Sequence, residues 1–414
     1  PVCVADVGPP PGTTAIDPNL RNDSTAFGED IHRGYGQTAF FGSADFDIIP
    51  KTLTVTLGTR WYHYTDYELG SKYTTGTECE NIANPCYGGS TSIDAENEHK
   101  GYHGFKSRGN LTWHITPDIL AYYTYSEGFR PGGFNRTIAN KAKDAEGNPQ
   151  YSSPLSYAPD SLINNELGLK SDFFDHRVIA NVSLYRMEWH DVQFALFDPT
   201  ILGNTTFVVN GPNYQIDGAE LQLAVKVIDG LTIQGTGSWN SPSQSSSPCL
   251  TSNDPKATKA GDPDAAALGQ CITEVKGKPF PNPFGVIGTR PAFSPAVEFN
   301  LRGRYEFVFG NDFKAFVQAG LSHIGDMQNQ PASYLPGDIP SETIPTTTHL
   351  RYDQPGYTTY DAAIGIGKDN WSAKLVGENL GNSDASTFTS SAQFIKSEVP
   401  LRPRTINLTL GYKF

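Results

Sequence analysis

Cysteines, histidines and carboxylates are the residues of this sequence whose types could carry chemistry. There are five cysteines and nine histidines. Cys79 and Cys86 stand close together in T-E-C-E-N-I-A-N-P-C, and Cys249 and Cys271 bracket a long polar stretch. Neither pair has zinc spacing, and neither lies beside a histidine cluster. Both read as loop-closing disulfides of an oxidising compartment. Cys3 is left over, either as a free thiol or as half of a pair whose partner lies outside this sequence. His99 and His103 read as solvated side chains, and Asp254, Asp262 and Asp264 lack a calcium-loop pattern. The segment Gly128–Gly133, G-F-R-P-G-G, has neither the lysine of a phosphate loop nor a following helix. It reads as a strand end whose glycines allow a tight exit. Asn181-Val-Ser and Asn204-Thr-Thr are chance matches to glycosylation acceptors. No Ser-His-Asp or Cys-His arrangement stands out, so no enzyme, metal or cofactor is expected.

The elements that would position these residues are strands. The last eleven residues set the pattern: Ile406, Leu408, Leu410, Tyr412 and Phe414 share one parity, and Thr405, Asn407, Thr409, Gly411 and Lys413 the other. Period two marks a strand with one apolar and one polar face, and its length suits a tilted crossing of an apolar layer, about 9–11 residues. Similar runs are expected near 36–47, 53–67, 101–115, 119–130, 161–172, 177–197, 214–228, 231–240, 294–309, 313–325, 357–367, 371–381 and 404–414. Mean hydropathy is −0.40. No apolar run is long enough for a membrane-spanning helix, but alternating strands dilute their apolar residues and remain compatible with a transmembrane barrel. The 41 glycines and 12% aromatics suit turns and interfacial girdles. A net charge of −13 argues against a nucleic-acid partner, which would demand a basic footprint.

Short and long connections alternate strictly along these runs. Ile48–Thr52, Thr116–Asp118, Phe173–His176, Asp229–Gly230, Gly310–Asp312 and Lys368–Asn370 are turns. Glu68–Lys100, Pro131–Asp160, Asp198–Asn213, Ser241–Phe293, Asp326–Gln354 and Asn382–Pro403 are longer and polar. All turns therefore lie at one end of the sheet and all loops at the other, as in outer-membrane barrels. The expected fold is all-β: an antiparallel transmembrane barrel with about thirteen strands in this chain. Single-chain bacterial barrels have even strand numbers, so further strands are expected upstream. Residues 1–30, which open on no signal peptide, are expected to form part of an outside loop.

Three segments carry a family resemblance. Tyr122–Arg136 reads Y-Y-T-Y-S-E-G-F-R-P-G-G-F-N-R. Gly377–Asn382 reads G-E-N-L-G-N, and Leu401–Phe414 reads L-R-P-R-T-I-N-L-T-L-G-Y-K-F. In type, order and spacing they resemble motifs of the TonB-dependent receptors of Gram-negative outer membranes. The resemblance covers nearly the whole of 1–414 and implies the C-terminal part of a twenty-two-stranded barrel. It implies a plug domain and a TonB-contacting box, neither of which is in this sequence. It also implies uptake of a scarce ligand such as a ferric siderophore, cofactor or glycan fragment.

Strand parity nominates an inner wall: Arg60, Glu166, Lys170, Glu220, Lys226, Glu298, Arg302, Arg304, Glu306, Lys374 and Glu378. Such a wall either docks a plug or lines the water of a passive porin. A third option is a surface protein that uses its loops for adhesion. Ligand contacts are expected higher up, among Phe129, Arg130, Phe134, Arg136, Trp189 and Tyr334, because aromatic and arginine side chains suit organic ligands. Expected partners are outer-membrane lipid, a small-molecule ligand, the plug and TonB complex, and the barrel-assembly machinery, for which Tyr412 and Phe414 would form the recognition signal.

Overall fold

A computed structural model describes residues 27–74, 89–93, 98–135, 142–143, 149–151, 154–197, 206–252, 269–271, 284–329, 352–390 and 397–414. Thirteen long strands form one antiparallel sheet in chain order. They are β1 (Phe27–Ile49), β2 (Leu53–Thr74), β3 (His99–Thr116), β4 (Ile119–Arg130), β5 (Asp160–Phe173), β6 (Val178–His190), β7 (Tyr214–Ile228), β8 (Leu231–Gln244), β9 (Val297–Phe309), β10 (Phe313–Ile324), β11 (Tyr357–Lys368), β12 (Trp371–Glu378) and β13 (Thr405–Tyr412). A short strand, Gly89–Ser92, adds to the far end of β2.

The register carries one face from strand to strand, because directly opposed residues point the same way. Arg60 opposes Lys106, Thr112 opposes Tyr122, and Tyr122 opposes Gly168. Ser183 opposes Glu220, which opposes Ser238, which opposes Glu298. Glu306 opposes Phe316, which opposes Gly365, which opposes Lys374. The eleven charged residues nominated for the inner wall therefore share one face of the sheet.

The opposite face is apolar and bare: Leu184 is 53%, Ile364 54% and Leu410 73% exposed. A water-soluble sheet would bury such a belt; in a membrane it meets lipid. Aromatic rings edge it at both ends, as interfacial girdles do. Toward the turns, ring centroids run Tyr305–Phe307 5.4 Å, Phe307–Phe309 5.9 Å, Phe309–Phe313 5.7 Å and Phe313–Trp371 6.1 Å. Toward the loops, Phe40 stacks on Trp61 at 5.9 Å and Phe299 on His323 at 5.1 Å.

The turns use left-handed backbone. Phe174, Asp175 and His176 hold φ of 56°, 54° and 64° in succession, and Lys51, Asp312 and Asp369 hold 61°, 63° and 51°. This geometry reverses the chain within a few residues.

Three expected boundaries move. The run expected over 177–197 stops at His190, and Gln193–Phe197 pairs instead with Thr206–Asn210. Asp191 takes a left-handed φ of 52°, and Val192, Leu196, Phe207 and Val209 are buried together in a separate loop ribbon. The run expected over 371–381 ends at Glu378, where Asn379 turns left-handed at φ 49°. The first strand starts at Phe27 rather than near 36, because β2 continues to Thr74 and offers it a partner. Residues 27–30 are thus strand rather than the outside loop expected over 1–30, while 1–26, with Cys3, lie outside the described residues.

Candidate functional site

On the inner wall, some charges are satisfied within the chain. The Tyr122 hydroxyl donates to Glu166 at 2.5 Å, and Lys170 lies 5.6 Å from the Tyr122 ring centroid. Arg304 donates to Glu306 at 2.7 Å and to Gln318 at 3.3 Å, with its guanidinium 3.7 Å from the Phe316 centroid. Lys226 sits low, 3.1 Å from Asp229 in the adjoining turn. That lysine and Arg177 hold the Asp229 carboxyl below its ordinary range. Arg60, Glu220, Glu298, Arg302, Lys374 and Glu378 have no ion pair among the described residues. A recess of about 600 Å³ opens on this wall, lined in part by Tyr122, Glu166, Lys170, Glu220 and Glu298. Exposed charges of mixed sign need water or a polar partner in a barrel interior.

At the loop end, Asp160 is a buried hub, 2% exposed. Arg130 donates to it from its backbone N–H at 3.3 Å and from Nε at 2.9 Å, and a terminal guanidinium nitrogen also reaches it. Trp189 donates its indole N–H at 3.0 Å and Gln193 its backbone N–H at 3.3 Å. Arg130 lies 4.8 Å from the Trp189 ring centroid. Two of the nominated ligand contacts, Arg130 and Trp189, are therefore brought together around a carboxylate of the same chain. Asp160 was not singled out in the sequence, where it closed the loop expected over Pro131–Asp160; the observed register sets it opposite Arg130.

The next residues of the motif explain its glycines. The Pro131 carbonyl accepts from Gln193 at 2.6 Å. A β-carbon on Gly132 would stand 2.3 Å from the Tyr157 carbonyl oxygen, and one on Gly133 would stand 2.4 Å from the Tyr157 hydroxyl. Burial pushes the Tyr157 phenol up from its ordinary pKa. Asn135 then ties three segments, donating to the Pro154 and Val208 carbonyls at 2.8 and 2.7 Å and accepting from the Val208 N–H at 2.7 Å.

Of the other nominated contacts, Phe129 stacks on Tyr62 at 4.2 Å and Phe134 sits in a two-residue pairing opposite Ser156. Arg136 and Tyr334 lie outside the described residues, as do Asn204, Asp254, Asp262 and Asp264. Cys249 and Cys271 form a disulfide, with Cα atoms 5.6 Å apart; Cys79 and Cys86 lie outside the described residues. Among the described residues no group of three or more His, Cys, Asp or Glu is arranged to hold a metal. Nearby, Arg290 reaches Asp326 at 2.7 Å and holds its carboxyl below the ordinary range.

The G-E-N-L-G-N segment is a corner. Asn379 is 7% exposed. Its side chain donates to the carbonyls of Ser383 and Arg402 at 2.9 and 3.0 Å and accepts from the Ser383 N–H at 2.9 Å. Its own N–H donates to Asp361 at 2.9 Å. Asn382 accepts from the Arg404 N–H at 3.1 Å. The motif joins the exit of β12 to the entry of β13.

Comparison with known proteins agrees with this geometry. A family model described as TonB dependent receptor-like, beta-barrel, matches residues 6–380. Among solved structures, the ferric yersiniabactin uptake receptor FyuA of Yersinia pestis superposes with a TM-score of 0.60 at 12% identity, over 93% of this chain and 46% of that one. The ferric-catecholate import receptor Fiu of E. coli K12, in its closed form, gives 0.59 at 15% over 93% and 45%. The siderophore receptor PiuA of Acinetobacter baumannii gives 0.60 at 15% over 93% and 44%. The chain spans about half the length of these receptors. At such identity the likeness is one of fold.

Proposed function

Because this chain belongs to the TonB-dependent receptor β-barrel family, we propose that the full-length protein actively imports a ferric siderophore across the outer membrane. The sheet is a wall of a Gram-negative outer-membrane β-barrel, with the short turns facing the periplasm and the loops facing outward. The observation that carries the reading is the inner wall. Glu220, Glu298, Arg302, Lys374 and Glu378, of both signs and without an ion pair among the described residues, offer a polar docking surface for a plug domain. Arg302, without an ion pair among the described residues, is suited to a plug carboxylate, whereas Arg304 already holds Glu306.

Energy would come from the TonB complex acting on the plug. Phe129 and Phe134, at the loop end, stand as ligand contacts, and Arg136 and Tyr334 join them as candidates from the sequence alone. Arg130 and Trp189, held by Asp160, shape the loops around them. Tyr412 and Phe414 would present β13 to the barrel-assembly machinery; Phe414→Asp should then lower the amount of full-length protein in the outer membrane.

The deciding experiment is uptake of radiolabelled ferric siderophores by cells that express the full-length protein. Saturable uptake, abolished when TonB or the membrane energy is removed, is the expected result. Unsaturable entry that ignores both would replace the receptor with a passive diffusion porin.

A further inference from the structure

The inner face of β1–β3 is banded in a way the plug reading does not require. Arg60 on β2 directly opposes Lys106 on β3, and Arg108 follows on the same face. Like charges placed opposite each other destabilise a sheet. Yet none of the three has an ion pair among the described residues. Glu127 approaches Lys106, but its carboxylate already accepts from the Tyr125 hydroxyl at 2.7 Å and the Ser107 N–H at 2.9 Å. The arginine is laid along the wall rather than across the lumen: a β-carbon on Gly58 would meet Arg108 Cγ at 3.3 Å and Nε at 3.4 Å.

Directly outward of this basic band the same face turns aromatic. Tyr64 opposes Tyr102, and Tyr62 opposes Gly104. Gly104 leaves room for the phenol, since a β-carbon there would lie 3.2 Å from the Tyr62 hydroxyl. Phe129 stacks on Tyr62 at 4.2 Å, and Lys106 lies 6.0 Å from the Phe129 centroid. The level of the site follows from its neighbours. Arg60 adjoins Trp61, whose ring stacks on Phe40 in the outer girdle on the lipid side. The cations therefore sit at the outer edge of the membrane, and the tyrosines rise toward the loops.

The geometry points to a ligand subsite here for a polyanionic, aromatic metal chelate, of the catecholate or phenolate kind, rather than a neutral one. Arg60, Lys106 and Arg108 would meet its negative charge, and Tyr64 and Phe129 would meet its ring faces, with Tyr62, 7% exposed, packed behind Phe129. The chemistry is complementary, because unpaired cations favour an anion and aromatic faces favour flat rings. The outer level of the site favours a ligand arriving from outside over the plug as its occupant, and this removes Arg60 from the docking wall. The inference rests on the receptor reading and narrows its ligand class.

Binding to the full-length protein in detergent tests it, with two probes: a trianionic ferric tris-catecholate and a neutral ferric tris-hydroxamate. The expected result is tighter binding of the tris-catecholate, weakened by added salt. Arg60→Gln with Lys106→Gln should weaken that binding by about tenfold or more, equivalent to 1.4 kcal/mol per decade, and flatten its salt dependence. Arg60→Lys should restore part of it, and Tyr64→Leu should weaken binding without changing the salt dependence. Heat-modified migration on gels identifies folded barrels, so only folded variants are compared.

Equal binding of both probes, or unchanged tris-catecholate binding in the double variant, would overturn the inference. So would a double variant that binds normally but gains passive conductance, which would return these cations to plug docking. Energy-dependent uptake of a neutral chelate alone would overturn the inference and leave the receptor reading standing.

Discussion

The two ends of the sheet are built by different means. At the short-turn end, six connections reverse the chain by backbone geometry, with left-handed residues such as Asp175 and Asp312. Their side-chain contacts are local and exposed: Lys226 reaches Asp229, and His176 holds Asp172. At the loop end, segments far apart in sequence are tied by buried polar groups. Asp160 gathers Arg130, Trp189 and Gln193; Asn135 bridges Pro154 and Val208; Asn379 joins Ser383 and Arg402. Single substitutions should therefore cost little at one end and much at the other, because an orphaned buried group costs far more than a lost surface pair.

The largest effect is expected at Asp160. Asp160→Ala leaves a guanidinium, an indole N–H and two backbone N–H groups without this acceptor. The Arg130 side chain is half-exposed and can turn to water, so the cost comes from the buried donors, about 1–3 kcal/mol for each one orphaned, read as a lower urea midpoint in micelles and faster proteolysis of the loops. An unchanged midpoint would erase the contrast between the two ends. Next comes Cys249→Ser, which reopens a loop whose cysteines are 22 residues apart. Closing such a loop is worth about 3 kcal/mol in the chain-entropy account, so reductant should loosen this loop in the unmutated protein and have no further effect on the same loop in the variant. Asn379→Ala should cost about 2 kcal/mol, since several buried hydrogen bonds vanish together; an unaltered melting profile would make the corner ornamental.

Much of this was legible in the sequence. Parity revealed both faces, because a charge facing lipid costs about 2–4 kcal/mol at mid-membrane and so enforces strict alternation. Turn chemistry located the reversals. The hidden part was what depends on tertiary partners. Val192, Leu196, Phe207 and Val209 continue an apolar pattern, so a strand running to 197 reads naturally; only the buried ribbon shows where they go. Asp160 looked like the end of a polar loop, and only the strand register shows that it lies opposite Arg130. The reason for Gly132 and Gly133, the close approach of Tyr157, is a contact between distant segments, whereas Gly128 lies within the strand with open space beside it.

The smallest effects sharpen the comparison through pH. Asp172 raises the pKa of His176 above its ordinary value, so the folded state binds the proton more tightly than the unfolded one. The contribution is fully present below about 6.5 and is lost as pH rises through the raised value. At the loop end, Arg290 lowers the Asp326 carboxyl. That contribution is present above about 3.9 and is lost as pH falls through the lowered value. The His176 and Asp326 resonances, titrated by NMR in micelles, should shift in opposite directions from model peptides; matching directions would contradict the assignment.

If the inner wall docks a plug, as proposed, the full-length protein is a closed receptor rather than an open channel. Conductance of the unmutated full-length protein in a planar bilayer tests it most directly. A plugged barrel should show no stable large conductance in plain buffer, with channels appearing only when denaturant loosens the interior. A large ohmic conductance present from the moment of insertion would contradict it.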